Sequence, residues 1–539
     1  MSSTFSAYYT ALSGIQTAQY NLKVTGQNMS NVNTDGYTRQ ALESYAVPSS
    51  GNNMRYSNRS DLAIGEGVKS TGVRQLRDPY LDVRFRMEQA KEGKTSTELS
   101  TMNDLETIFD EVKKSGINSQ LTDLVGQLNK FANSPSDTSL ENIVKNSALL
   151  LSKAFNSASE QLTKIRNQQT DSFQNNSINK ANDLLQKIAE LNQEIKSADV
   201  SQIPALELTD QRNLYLDQLS KYANIQISAK AVPVGAGRTV DEMSVNLVAD
   251  DGTKFNLVSN DKYNHFEMSN DPAGNPVVTL KLKNSNGDDV FDSSGTTKMN
   301  NGLVTKGEFS GYLSMLNDSG EFDADPTANP PVASTTRGIG YYQKALNKMA
   351  STFADMMNTA NSTDASGSIN KPLFTTDDGK TTTGITASNI SISDAWNDAT
   401  GIFITATKND VLPGVDNSKA GKNILYMINQ FTKQQPVYAD TIHSGSKVIL
   451  FNTSINSFVS DISTTLGLDI DTTKSVDSSF TSTINDIDTN RQALSSVDVN
   501  EETVNMTMYN QALAASSRFM TTMDEVIDTL INKMGVAGR

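Results

Sequence analysis

The chain has 539 residues, 37% of them hydrophobic, and carries 61 acidic against 46 basic side chains for a net charge of −15. That length admits roughly two to four domains, and an acidic balance without a basic run argues against a nucleic-acid surface or an anionic membrane as partner. The absence of cysteine excludes disulfides, thiol catalysis and cysteine-held metals; no apolar run is long enough to predict a membrane span.

The first element is expected to be a helix. Phe5, Tyr8, Leu12, Ile15, Gln19, Leu22, Gly26 and Met29 alternate spacings of three and four, the period of a coiled-coil seam. No basic leader precedes it, since the first lysine is Lys23, so a cleavable signal is not expected. Such a helix is marginal alone in water and needs a partner. A polar turn over residues 30–40 closes it. Residues 41–77 read as irregular. Asp78 and Pro79 read as a cap and first position of a helix running towards Val112, interrupted near Gly93. A shorter helix holds Leu121, Leu124, Val125, Leu128 and Phe131. The longest helical pattern covers residues 140–198 and predicts a rod-like bundle; another helix follows over 206–222.

From Asn224 the pattern changes to β-formers between turn residues, which predicts an inserted β module over 224–315. Helix returns over 340–361. A second irregular insertion, 362–415, holds a strand at Ile402, Phe403 and Ile404. Helices are expected over 422–434, 444–466 and 480–495. The last helix carries Val504, Met508, Ala512, Ala515, Phe519, Met523, Val526, Leu530 and Met534, spaced by about 3.7 residues, which suits a nearly straight winding. Asp498 or Asn500 can cap its start and Gly535 its end. The terminal helices match in length, at roughly 45–50 Å each, and are expected to pair; separate packing on a globular body is the alternative.

Chemistry is hard to find. The two histidines, His265 and His443, are far apart in sequence and no HExxH motif accompanies them. Residues 414–423 fail as a phosphate loop on glycine spacing, with Asn423 where a hydroxyl should hold magnesium. The acidic clusters lack the glycine and glutamate of a calcium loop. No catalytic, cofactor-binding or metal-binding residue is assigned, and an enzyme is not expected.

One stretch is more specific. QNMSNVNTDGYTRQ, residues 27–40, resembles the N-terminal motif of the bacterial flagellar axial family of rod, hook and hook-associated proteins. Asn28, Asn31, Thr34, Gly36 and Tyr37 occupy its places, and the ending Thr38, Arg39, Gln40 is similar to the hook-associated branch. Four further segments resemble the family in order: 65–86 with Arg77 and Asp78, 208–225 with Asp210, Gln211 and Arg212, 340–358 with the later 372–374, and 497–535.

The resemblance implies a mainly α fold with inserted β. Residues 1–40 and 497–539 would pair as a coiled coil; 41–223, 316–361 and 416–496 would form an elongated helical bundle; 224–315 and 362–415 would face outward. Phe5, Leu12, Leu22 and Met29 are expected to face Val504, Ala515, Phe519, Val526 and Leu530. The resemblance also implies a structural role at the hook–filament junction, as a ring of identical copies on the hook tip. Expected partners are the chain itself, the hook protein, hook-associated protein 3 and an export chaperone on the C-terminal helix, with no nucleic acid, membrane or cofactor. The expected location is the extracellular flagellum, reached without a cleaved leader. Alternatives are another axial protein, or an adhesin or wall hydrolase carried on a flagellar scaffold.

Overall fold

The structure is a computed structural model and describes residues 3–48, 65–114, 116–235, 238–270, 277–323, 336–362, 371–407, 420–439, 449–529 and 531. Helix α1 (Ser3–Ser30) is followed by an antiparallel hairpin, β1 (Gln40–Ala46) and β2 (Val68–Gln75). Within the segment expected to be irregular over 41–77, the described residues 41–46 and 68–75 pair as strands. The hairpin's alternation is weak because it packs on one flank of α1 rather than on a large core: Thr17 Oγ1 and Ser70 Oγ share a hydrogen bond of 3.3 Å.

Helix α2 (Pro79–Lys114) starts where Asp78 caps the Tyr80 amide at 2.9 Å. It is continuous through Gly93. A Cβ there would stand 2.3 Å from the Lys221 carbonyl oxygen, so the glycine serves close approach of a second helix rather than a break. Then come α3 (Ile117–Asn133), α4 (Thr138–Ser172), a π-helical segment Phe173–Ile178, α5 (Asn179–Val200) and α6 (Leu206–Tyr222). Asp137 caps α4 through the amides of Ser139 and Leu140. The apolar stripe Val144, Ala148, Leu151, Phe155, Ala158 and Leu162 is buried in the common core, as its helical spacing requires.

The β module holds a four-stranded antiparallel sheet in the order β3 (Ile225–Gly235), β4 (Arg238–Val248), β5 (Lys254–Ser259), β6 (Lys262–Tyr263), and a hairpin of β7 (His265–Asn270) with β8 (Val278–Lys283). His265 opens β7. Residues 308–315, expected within the β module, belong to a helix, α7 (Glu308–Asn317), packed on α2. It is buried almost all round through Phe309, Leu313, Met315 and Leu316; the helical spacing of Phe309, Tyr312, Leu313 and Leu316 spans only two turns directly after the β-rich stretch, too short to mark the boundary.

Helix α8 (Ile339–Asn361) leads to the second insertion, with β9 (Phe374–Thr375), β10 (Ser391–Ile392) and the short α9 (Asp394–Asn397). Residues 402–404 are not a strand. The Phe403 and Ile404 amides donate at 2.9 Å to the buried Glu141 carboxylate, and the Thr405 amide to Asn361 Oδ1 at 2.7 Å. Side chains of α4 and α8 thus take the place of a neighbouring strand. After α10 (Lys422–Thr432) and the hairpin β11 (Gln435–Tyr438) with β12 (Ile449–Thr453) comes α11 (Ile455–Ser495), 41 residues in one helix where two were expected. It lies along the 36-residue α2; the polar stretch between the two expected helices is held in that contact, with Asp477 accepting from Thr95 Oγ1 of α2 at 2.8 Å and Ile470 buried. Helix α12 (Val499–Asp528) returns along α1. His443 and residues 414–419 lie outside the described residues.

Candidate functional site

The turn after α1 is built by hydrogen bonds local to it. Asn31 Nδ2 donates to the Gln27 carbonyl at 3.0 Å, its Oδ1 accepts from Thr34 Oγ1 at 3.2 Å, and the Tyr37 amide donates to the Thr34 carbonyl at 3.1 Å. Gly36 takes a φ of +78°, with Leu214 of α6 directly beneath it. Asn28 is buried and fully paired: its Nδ2 donates to the Gln40 carbonyl at 3.0 Å and to Glu502 Oε1 at 3.3 Å. Its Oδ1 accepts from Tyr37 Oη and from the Gln40 amide, both at 2.9 Å. Burial, with Glu207, Asp210 and Glu502 nearby, pushes the Tyr37 phenol well up, so Tyr37 remains a donor.

The last motif residues tie this turn to three other elements. The Thr38 amide donates to Asp210 Oδ2 on α6 at 3.0 Å. The Arg39 amide donates to the Ser495 carbonyl at the end of α11 at 2.8 Å. The Arg39 guanidinium spans Glu501 at 2.7 Å and Glu502 at 2.8 Å on α12. Gln40 Nε2 donates to Glu207 at 3.2 Å. All eight motif residues, Asn28, Asn31, Thr34, Gly36, Tyr37, Thr38, Arg39 and Gln40, therefore lie in one joint between the terminal helices and the helical body.

Beside the turn, a chain of charges locks α2, α6 and α11. Arg491 of α11 reaches Asp82 at 3.0 Å and Asp217 at 2.6 Å while lying 4.2 Å over the Phe85 ring. Asp217 also accepts from Arg86 at 2.6 Å, and Arg77 pairs with Asp82. Removing one partner of such a network strands a buried charge. Asp210 is held above the usual carboxylate range by burial, against the pull of Thr38 and Arg77. Burial pushes the Arg212 guanidinium down to about 10; its Nη1 donates to Asn192 at 3.0 Å.

The terminal helices are antiparallel. Glu502 meets Asn28 at one end, and a Cβ on Gly14 would stand 2.8 Å from Ser516 Oγ further along. The seam lies one face away from the expected one. On α1 the buried side chains are Ala11, Ala18, Thr25 and Asn28; Leu12, Leu22 and Met29 are half-buried beside them. On α12 the partly buried set is Met506, Tyr509, Leu513, Ser516, Met520, Met523 and Ile527, whose spacings of four and three give the 3.5-residue period of a left-handed winding. Val504, Ala515, Phe519 and Val526 face solvent, contrary to expectation. Closeness is one physical reason: small side chains on α1 let the backbones approach where Gly14 meets Ser516, and that contact fixes which face of α12 turns inward. The Phe5 side chain and Leu530 lie outside the described residues.

Sequence reasoning missed Glu502, Glu207 and the hairpin flank. Glu501 and Glu502 were legible only as acids suited to a helix N-terminus; nothing local announced a buried partner for either. Among the described residues no three His, Asp or Glu side chains group as metal ligands, and no helix is long and apolar enough to cross a membrane.

The model of the flagellar hook-associated protein FlgK helical domain matches residues 102–374, and that of the flagella basal body rod protein matches residues 9–38. The chain is 27% identical to flagellar hook-associated protein 1 of Bacillus subtilis over 546 aligned residues, covering 100% of both chains. It is 22% identical to flagellar hook-associated protein 1 of Salmonella typhimurium, over 68% of this chain and 58% of that one. A solved structure, the flagellar hook junction protein FlgK from Burkholderia pseudomallei, aligns with 55% of this chain and 46% of its own at 22% identity and a TM-score of 0.40. With the helical-domain model spanning half of the sequence and a relative aligned end to end, the chain belongs to the FlgK family of flagellar hook-associated proteins, the axial components of the hook–filament junction.

Proposed function

We propose that the chain acts as one of a ring of identical structural subunits seated on the hook tip, and that its terminal helices complete their packing only against neighbouring copies. The observation that carries this reading is the second apolar stripe of α12: Val504, Met508, Phe519 and Val526 are 63, 54, 42 and 40% exposed in the single chain. Exposed apolar stripes of this kind mark interaction surfaces. The outer face of α1 adds Tyr8, Tyr9 and Tyr20, also exposed. The joint supports the same reading, because it ties the helix pair to the body at a defined angle, as a repeating subunit needs.

On this reading, residues 1–40 and 497–539 form the inner layer. Residues 41–223, 316–361 and 416–496 form the next, and the insertions 224–315 and 362–415 lie outermost. The hook protein lies below and hook-associated protein 3 above. An export chaperone covers the C-terminal helix before the chain leaves the cell. The role is mechanical rather than catalytic.

The test is deletion of the gene, followed by electron microscopy of the cells and assay of the medium. Hooks without filaments, with unpolymerised filament protein outside, are expected; normal filaments would overturn the reading.

A further inference from the structure

Two asparagines of the chain are followed by glycine, Asn286 and Asn301. In that pairing a side-chain amide is most open to attack by its own backbone, because glycine places no side chain beside the next amide nitrogen. The fold treats the two sites differently. Asn301 opens a short 3-10 turn and closes the edge of β8 that β7 leaves unpaired: its Oδ1 accepts from the Leu280 amide at 3.0 Å and its Nδ2 donates to the Val278 carbonyl at 2.7 Å. Asn286 lies in the exposed turn that follows β8. Asn284 braces that turn, its Oδ1 accepting from the amides of Asn286 and Asp288, both at 2.9 Å. Among the described residues no hydrogen bond holds the Asn286 side chain itself. Gly287 takes a φ of +84°, and a Cβ there would meet nothing within 4 Å. The attacking nitrogens are held alike, since the Gly287 amide donates to the Asn284 carbonyl and the Gly302 amide to Asn300 Oδ1, each at 3.0 Å. The difference between the sites is the freedom of the asparagine side chain.

We propose that Asn286 is a site of spontaneous deamidation, and that Asn301 is protected from the same reaction by its place on the strand edge. Hydroxide takes the Gly287 amide proton, and the nitrogen attacks Asn286 Cγ. A C–N bond forms, the side-chain nitrogen leaves as ammonia with a proton from water, and a succinimide ring remains. Water then adds to one of the two ring carbonyls and breaks its C–N bond. Attack at the side-chain carbonyl gives aspartate; attack at the main-chain carbonyl gives isoaspartate. No oxidant, cofactor or partner enters. Either product puts a new carboxylate beside Asp288 and Asp289, and isoaspartate also lengthens the main chain by one carbon, which removes the spacing that lets Asn284 reach both amides. Asn301 has first to give up two hydrogen bonds and leave the Leu280 amide unpaired, which slows it by about ten- to a hundredfold relative to Asn286.

The experiment is incubation of the native full chain in mildly alkaline buffer, with samples digested at mildly acidic pH and the peptides holding Asn286 and Asn301 followed by mass spectrometry. An isoaspartate-specific methyltransferase is the second probe. Asn286 should convert about ten- to a hundredfold faster than Asn301. In guanidinium chloride the fold no longer shields either site, so the two rates should converge. Asn286→Gln should remove most of the methyl-accepting sites that the native chain acquires. Equal rates in the native chain, faster conversion at Asn301, a gap that persists in guanidinium chloride, undiminished methylation of Asn286→Gln, or no conversion at either site overturns the proposal.

Discussion

Gly36 takes a positive φ in the turn where the chain leaves α1, and a pair of glycine substitutions tests the proposal that it sets the exit angle there. Its φ of +78° lies in the left-handed region, where a Cβ costs about 1–2 kcal/mol. An added Cβ would also stand 3.2 Å from Leu214 Cβ, inside ordinary contact distance. The turn cannot move away freely, because the Thr38 amide is bonded to Asp210, one helical turn before Leu214 on α6. Gly36→Ala should therefore destabilise the turn by about 1–2 kcal/mol, and the β-branched Gly36→Val by about 2–4 kcal/mol. Gly26 is the control. It lies within α1 and a Cβ there would meet nothing within 4 Å, so Gly26→Ala should stabilise by about 0.5–1 kcal/mol. The assay is native-state hydrogen exchange of the full chain, read at the Tyr37 and Arg39 amides, which donate to the Thr34 and Ser495 carbonyls. It reports local opening without assuming that a multidomain chain unfolds in one step. Exchange at both amides should rise about 5- to 30-fold in Gly36→Ala. Wild-type exchange in Gly36→Val, or shifts of the same sign for Gly26→Ala and Gly36→Ala, would refute the reasoning.

Three further predictions follow from the same geometry. Phe519→Asp should leave the melting curve within about 0.5 kcal/mol of wild type, since the side chain is already half in solvent, yet give hooks without filaments in a complemented deletion strain; normal swimming would remove the stripe as an assembly surface. Glu141→Ala should orphan the buried donors Trp396 Nε1, Phe403 N and Ile404 N, loosening the second insertion by about 3–5 kcal/mol. Trp396 is the single tryptophan, so a red shift of its emission reads this directly, and unchanged emission counts against it. Asp289 is held down to about 2 by Lys283 and Lys298, from an ordinary 3.8. A depressed acid contributes stability that is present above 3.8 and lost as pH falls through about 2. An NMR titration of its carboxyl carbon should show that midpoint, and one near 4 would show the contacts absent.

Local features were legible from sequence for a physical reason. Asp78 and Asp498 cap α2 and α12, and Gly36 takes the positive φ its turn needs, because caps and turns are decided by a few adjacent residues. Long helices with strong periodicity were legible too. Where two or more outcomes share one local pattern, the reading failed. Helix α7 follows directly on the β-rich stretch, and its helical spacing at Phe309, Tyr312, Leu313 and Leu316 covers too few turns to mark the boundary. The polar stretches within α2 and α11 resembled breaks, but each helix is carried across by packing against its neighbour. The Ile402 to Ile404 segment has strand-forming residues, yet its Phe403 and Ile404 amides donate to Glu141 and the following Thr405 amide to Asn361.

The terminal helices show the division most clearly. The sequence by itself determined that both ends are amphipathic helices, that a polar glycine turn closes the first, and that the family motif occupies it. Helix α12 carries two stripes at helical spacing, and periodicity shows that faces exist without showing which one the chain covers itself. That choice rests on how closely two backbones can approach, as Gly14 beside Ser516 shows. Likewise Arg39 meets Glu502 across 463 residues and Thr38 meets Asp210 across 172. Contacts so distant have no local signature: their strength depends on how well the partners are shielded from water and paired, and only the closed tertiary structure determines which groups are shielded together.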